Sequence, residues 1–214
     1  MNERPRVVVV CALADELAGF ACRPGMRVLT CGVGSVEAAA ATARALAGGD
    51  VDVVINAGIA GVFPGRGNVG EAFIVAEELY ADFGLEDGAP LTLPGGATLV
   101  HQVRASAALI EAGRRTALPL ARGLTVNAIT TTDATARRLR EAYACDVESM
   151  EGFAVLRAAE LARVPAIEVR GISNIVGDRT RAQWDFRAGS RAAVEALRSL
   201  LAVIAPARED LAPR

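Results

Sequence analysis

Four short segments carry residue types that could act together. Cys11-Ala12-Leu13-Ala14-Asp15-Glu16 brings two acids to the end of an apolar run, and Asn56-Ala57-Gly58-Ile59-Ala60-Gly61 offers a glycine turn with exposed N–H groups. Val147-Glu148-Ser149-Met150-Glu151-Gly152-Phe153 places a carboxylate at a predicted helix start, and Arg170-Gly171-Ile172-Ser173-Asn174 leaves a predicted strand with a guanidinium and an amide. Each has a plain structural reading. Paired acids usually form a solvated helix face, an acid in a first helical turn complements the dipole, and glycines permit tight turns. Together they suit one task, holding a sugar and a heterocycle while a positioned carboxylate activates water.

Other chemistries are disfavoured by the same inventory. His101 is the only histidine, which argues against a Ser-His-Asp or Cys-His mechanism. Cys11, Cys22, Cys31 and Cys145 show no CxxC spacing, so no metal site is expected and the thiols read as reduced, mostly buried small hydrophobes. Gly32-x-Gly34 suggests a dinucleotide turn, but Glu37 stands where the third glycine belongs, and no cofactor is expected.

The elements that must position these residues follow from hydrophobic patterning. Arg6–Cys11 is short, β-branched and not alternating, as in a central strand covered on both faces. Met26–Cys31 reads as a strand, with Ser35 as the N-cap of an Ala-rich helix that ends at Gly48-Gly49. Val51–Ala57 is a buried strand entering the glycine turn, and 71–79 a further strand. Beyond a Gly- and Pro-rich segment, the pattern predicts a helix over 103–117, a strand over 122–130 and a helix over 134–144. A helix over 149–163 presents Met150, Phe153, Ala154, Ala158 and Leu161 on one face. A strand over 165–172 and an amphipathic helix bearing Val194, Leu197, Leu201 and Ile204 complete the chain.

This alternation predicts one α/β domain over 1–214, with a core over about 6–204. The expected architecture is three-layered, α/β/α, around a mixed, mainly parallel sheet. Ligands in such folds gather at the carboxyl ends of strands, where the four segments lie. With 52% hydrophobic and 22% charged residues the chain is globular, and a net charge of −2 without basic runs speaks against nucleic-acid or membrane-surface partners. No run reaches transmembrane length and the first residues lack a signal-peptide pattern, so a cytoplasmic location is expected. The mean hydropathy of +0.31 suggests apolar surface shared between subunits of a homodimer or larger homo-oligomer.

In order and distance the four segments resemble the purine nucleoside phosphorylase and nucleosidase family, especially its methylthioadenosine/S-adenosylhomocysteine nucleosidase branch. The resemblance spans roughly residues 6–204. NAGIAG, AEELYADFGLEDG, MEGFAV and RGISNIVG are most similar to members that release hypoxanthine from futalosine on a route to menaquinone. It implies a nucleoside phosphorylase-like fold and a purine nucleoside substrate. Glu16 then matches the glutamate that orients and deprotonates the attacking water. Met150 and Glu151 match the pair that grips the ribose, and Gly58 to Gly61 form the backbone floor beneath it. Arg170 matches an arginine near the water, although a structural salt bridge would leave the same trace. Trp184 matches an aromatic lid or stands as a structural edge residue.

Asn174 replaces the aspartic acid that protonates the base in adenine-cleaving relatives. An amide cannot deliver that proton, but it can donate a hydrogen bond to N7 or O6, which favours a 6-oxopurine. Ile59 replaces a serine of the methylthioadenosine-cleaving members, and no phosphate-binding arginine precedes it, so water is the expected nucleophile. Tyr80, Asp82 and Asp87 fall in the resembling stretch without assigned roles. Two alternatives stay open: turnover of another purine nucleoside such as methylthioadenosine or inosine, and a non-catalytic nucleoside-binding protein of the same fold.

Overall fold

The computed structural model describes residues 5–85, 91, 93–180 and 184–204. Strand β1 (Val7–Cys11) lies between β2 (Met26–Thr30) and β3 (Val53–Val62), all parallel. Its valines alternate between two cores. Val7 and Val9 face α2 (Ala107–Arg114) and α5 (Phe186–Ile204), while Val8 and Val10 face α1 (Ser35–Leu46) and α4 (Gly152–Leu161). That double cover explains an unbroken apolar run. It also gives the expected three layers around a mixed sheet.

The sheet then closes on itself. β3 pairs in parallel with β8 (Ala166–Ile175), which runs antiparallel to β4 (Ala72–Tyr80). β4 pairs in parallel with β6 (Leu120–Thr125), β6 with β7 (Val147–Ser149), and β7 returns antiparallel to β3. Ala60, Val62, Phe73, Val75, Ala121, Val147 and Ile172 form one cluster drawn from all five strands of this ring, so apolar side chains fill its inside. β5 (Gln102–Arg104) adds antiparallel to β4, and α3 (Asp133–Tyr143) covers a cluster around Phe63 and Leu124.

Several boundaries differ from the sequence expectation for identifiable reasons. The glycine segment Gly58–Gly61 is not a turn; β3 continues through it to Val62, because β8 pairs along its length and β7 joins at Gly61 and Val62. Residues 102–104 form β5, which leaves a shorter α2, and 147–149 form β7 before α4 starts at Gly152. Leu161 is 68% exposed rather than on the buried face. Gly34, not Ser35, occupies the N-cap of α1, with φ of 97° that favours glycine. Cys11, Cys31 and Cys145 are buried free thiols, and burial pushes Cys11 up to about 11.

Candidate active site

Beyond β1 the chain makes a 3-10 turn over Ala14–Leu17. Leu17 anchors it in the α5 core, and Ser190 of α5 donates its hydroxyl toward the Glu16 carbonyl at 2.9 Å. Asp15 stays exposed while Glu16 is turned inward and buried. Glu16 Oε2 accepts the N–H groups of Ala12 and Leu13 at 2.9 and 3.0 Å, and Oε1 accepts that of Ile59 at 3.1 Å. Burial raises its pKa above the ordinary carboxylate value, against the Arg170 charge and the backbone donors, with Glu151 adding to the rise.

Arg170 projects from β8 beside Gly58 of β3 and is completely enclosed. Its Nε donates to Glu168 Oε1 at 2.5 Å and its Nη1 to the Ile59 carbonyl at 3.1 Å, while Nη2 lies 3.7 Å from Glu151 Oε2. Burial opposes its charge, but Glu168, Glu151 and Glu16 outweigh that and hold the guanidinium above its ordinary value. Gly58 is what lets these groups meet. A Cβ there would come within 2.9 Å of Glu16 Oε1 and 3.0 Å of Arg170 Nη1.

Glu151 stands at the N-cap position of α4, but its side chain reaches across to α1, where Oε1 accepts the Gly34 N–H at 2.9 Å. Ser35 Oγ donates to the Met150 carbonyl at 3.2 Å. The loop after β2 is thereby tied to the Met150-Glu151 corner, a contact invisible in the sequence. Glu16 and Glu151 thus flank one buried guanidinium, with Glu16 and Arg170 meeting over Gly58.

A model described as the phosphorylase superfamily matches residues 20–205. Futalosine hydrolase of Thermus thermophilus is 35% identical over 184 residues, covering 83% of this chain and 82% of that protein. Futalosine hydrolase of Streptomyces coelicolor is 38% identical over 203 residues, covering 88% and 82% respectively. The chain belongs to the futalosine hydrolase family. Among solved structures, the methylthioadenosine/S-adenosylhomocysteine nucleosidase of Colwellia psychrerythraea in complex with adenine shares the fold, with a TM-score of 0.79 at 19% identity, covering 94% of this chain and 96% of that one.

In this member of the futalosine hydrolase family, Asn174 stands one step further along the same two strands, opposite Gly61. A Cβ at Gly61 would lie 3.0 Å from Asn174 Nδ2, so the bare backbone makes room for the amide. Ser173 Oγ, 2.8 Å from Asn174 Oδ1, fixes the carbonyl end, and Nδ2 lies 3.3 Å from the Ile175 carbonyl. The amide therefore keeps a second N–H to present elsewhere. Met150 is half-buried against the cluster that holds Phe63 and Leu124.

Trp184 is exposed, with the Arg179 guanidinium 5.6 Å from its ring centroid. Its segment is tied to the site through the next residue, since Asp185 N–H donates to the Ser173 carbonyl at 2.8 Å. Tyr80 stacks on Phe153 and donates to Asn127 at 3.1 Å, while Asp82 pairs with Arg138 at 2.9 Å. Asp87 lies outside the described residues.

Two acids escaped the sequence reading. Glu168 and Glu78 are both fully buried behind Arg170. The signal for Glu168 was available: it stands two residues before Arg170 in a strand, hence on the same face.

Proposed function

We propose that this protein hydrolyses the N-glycosidic bond of futalosine, releasing hypoxanthine for menaquinone biosynthesis by the futalosine route. The carrying observation is the meeting of Glu16 and Arg170 over Gly58, with Glu151 on the other side of the guanidinium and Asn174 presented from the same strand pair at Gly61. Glu16 takes a proton from a water as its oxygen bonds to C1′ and the bond from C1′ to the purine N9 breaks. Its raised pKa suits a general base, because a more basic carboxylate has more drive to accept that proton. Glu151 accepts hydrogen bonds from the ribose hydroxyls and offsets the positive charge developing on the sugar, while Met150 packs on its face. Asn174 donates to N7 or O6, so hypoxanthine leaves as a stabilised anion that afterwards takes up the proton.

Ile59 lends its backbone to Glu16 and Arg170 and brings no anion-binding group, in keeping with water rather than phosphate as nucleophile. Trp184 closes over the substrate from the segment tied to Ser173. Leu13, Val33 and Val36 are exposed beside the site, and Val36 is 80% so. This apolar surface suits association of two or more copies of the chain, a cytoplasmic homo-oligomer. No helix among the described residues is long and apolar enough to cross a membrane.

Release of free base from futalosine, methylthioadenosine and inosine, each with and without phosphate, tests the reading. Rapid phosphate-independent release of hypoxanthine from futalosine alone is expected, and Glu16→Gln should lower kcat by about 10²–10⁴-fold while sparing hypoxanthine binding. Turnover of methylthioadenosine in preference to futalosine would overturn the substrate assignment and the role of Asn174.

A further inference from the structure

Behind the reacting face lies a second constellation that the hydrolysis described above does not use. Glu78 of β4 and Glu168 of β8 are both fully buried. Thr125 of β6 donates its hydroxyl to Glu78 Oε2 at 2.7 Å and accepts the Phe153 N–H of α4 at 2.8 Å. Glu168 Oε1 takes the Arg170 Nε–H at 2.5 Å. The remaining two oxygens, Glu78 Oε1 and Glu168 Oε2, are buried and make no close hydrogen bond, although the Asn56 amide of β3, opposite Glu168, is near enough to favour its charge. Both lie 2.5 Å from the point where a Cβ on Gly152 would stand, so they share one small space at the start of α4.

Two bare carboxylate oxygens could not stay ionised together in such a space, because their repulsion is poorly screened there. Both are satisfied at once if one carboxyl keeps its proton and donates it to the other. We propose that Glu78 is a protonated acid donating its O–H to Glu168, and that this pair is the positioning device that holds Arg170 beneath the substrate. The kinetic consequence rests on the nucleosidase reading above; the shared proton does not.

Which partner carries the proton follows from their neighbours. Glu78 faces Glu168 and, beyond it, Arg170 from β8, the neutral Thr125 from β6, and the Gly152 backbone from α4. Burial, then the Glu168 charge, pushes it well above the carboxylate range. Glu168 is raised by burial too, and Glu151 adds to the rise, but the charge and hydrogen bond of the adjacent Arg170 and the Asn56 amide work against it. Glu168 is therefore the anion. Without the Glu78 O–H, its second oxygen would be desolvated with only the Asn56 amide near it, and the charge that orients Arg170 would be weakened. With it, the guanidinium fork is held at Nε, leaving Nη1 for Ile59 and Nη2 directed at Glu151.

Infrared difference spectra of the intact protein across a pH titration, paired with steady-state kinetics, test the proposal. The wild type should show the carbonyl stretch of a protonated, buried carboxylic acid at neutral pH. That band should shift in D₂O, persist in Glu16→Gln and Glu148→Gln, and vanish in Glu78→Gln. Glu168→Gln should lower kcat about 10–100-fold with little change in KM, because Arg170 is misplaced rather than removed. Glu78→Leu should fall with it. Glu78→Gln, whose amide supplies a replacement donor, should stay within roughly threefold of wild type and lose the alkaline limb of the kcat profile. Should Glu78→Gln not fold, Glu78→Asp must shift the band. No band, a band that survives Glu78→Gln, or wild-type kcat in Glu168→Gln would overturn the pair. A correctly behaving band in a protein that cleaves no nucleoside would sink the proposed function and leave the shared proton standing.

Discussion

Glu77 and Glu78 are consecutive residues of β4 whose side chains leave opposite faces of the strand. Glu77 meets Arg122 at 2.6 Å and Arg104 at 3.0 Å, with Gln102 also donating to it. Burial works against its charge, but these donors outweigh burial and hold its pKa below the ordinary value. Glu78 points inward, where Arg170 is reached only through Glu168, and its pKa moves the opposite way. The same side chain, one residue apart, is an anion on one face and an acid on the other. Charge state here is set by which partners the sheet delivers, and the two faces differ in that supply.

The largest test of this contrast is to remove the inward cation. Arg170→Leu leaves Glu168 ionised and unpaired, and should cost about 3–5 kcal/mol of unfolding free energy at neutral pH. The loss should narrow as acid protonates the carboxyls. A cost near zero in urea denaturation at neutral pH would mean that Glu168 is already neutral.

A smaller, pH-graded effect is expected for Glu78→Gln. A carboxyl whose folded pKa lies above its unfolded value binds protons more tightly in the native state, so its contribution declines as pH rises through that interval. Glutamine has no proton to lose. The Tm of Glu78→Gln relative to wild type should therefore climb from acid to neutral pH, and a flat difference would place the Glu78 pKa at its ordinary value.

The smallest change belongs to the outward face. Arg104 is 76% exposed and Arg122 35%, so solvent screens their pairs with Glu77. Glu77→Gln should cost less than about 1 kcal/mol at neutral pH. Because the Glu77 pKa is lowered, even that contribution should disappear as pH falls through its folded value. A larger cost, insensitive to salt, would erase the distinction between the two faces.

Much of the fold was legible because burial on two faces leaves an unmistakable mark. The valines of β1 alternate between helix layers, and only a doubly covered strand tolerates such a run. The helices α1 and α5 carried their own signals. The closed ring was not legible, since β7 has three residues and its pairing with β3 is long-range. The extension of β3 through Gly58 and Gly61 was hidden for a related reason. Glycines there suggest a turn until the side chains that need the cleared space, Glu16 and Asn174, are seen above them. At the site, Glu16, Glu151, Arg170 and Asn174 were visible as motifs. Glu78 was not, because a buried acid in an apolar strand has no local signature and its partner lies on another strand, and Glu168 was marked only by its spacing from Arg170.

Closing five strands into a ring also bears on how the protein behaves at high concentration. A mean hydropathy of +0.31 would be hazardous in a chain with long unpaired strand edges, which invite edge-to-edge stacking into aggregates. Among the described residues, the strands with one neighbour are β2 and β5. The first is five residues long and carries Arg27, and the second has three, with Arg104 at its end. Short, positively charged borders are poor templates for another chain, so the ring that builds the site also shields the protein against uncontrolled strand addition.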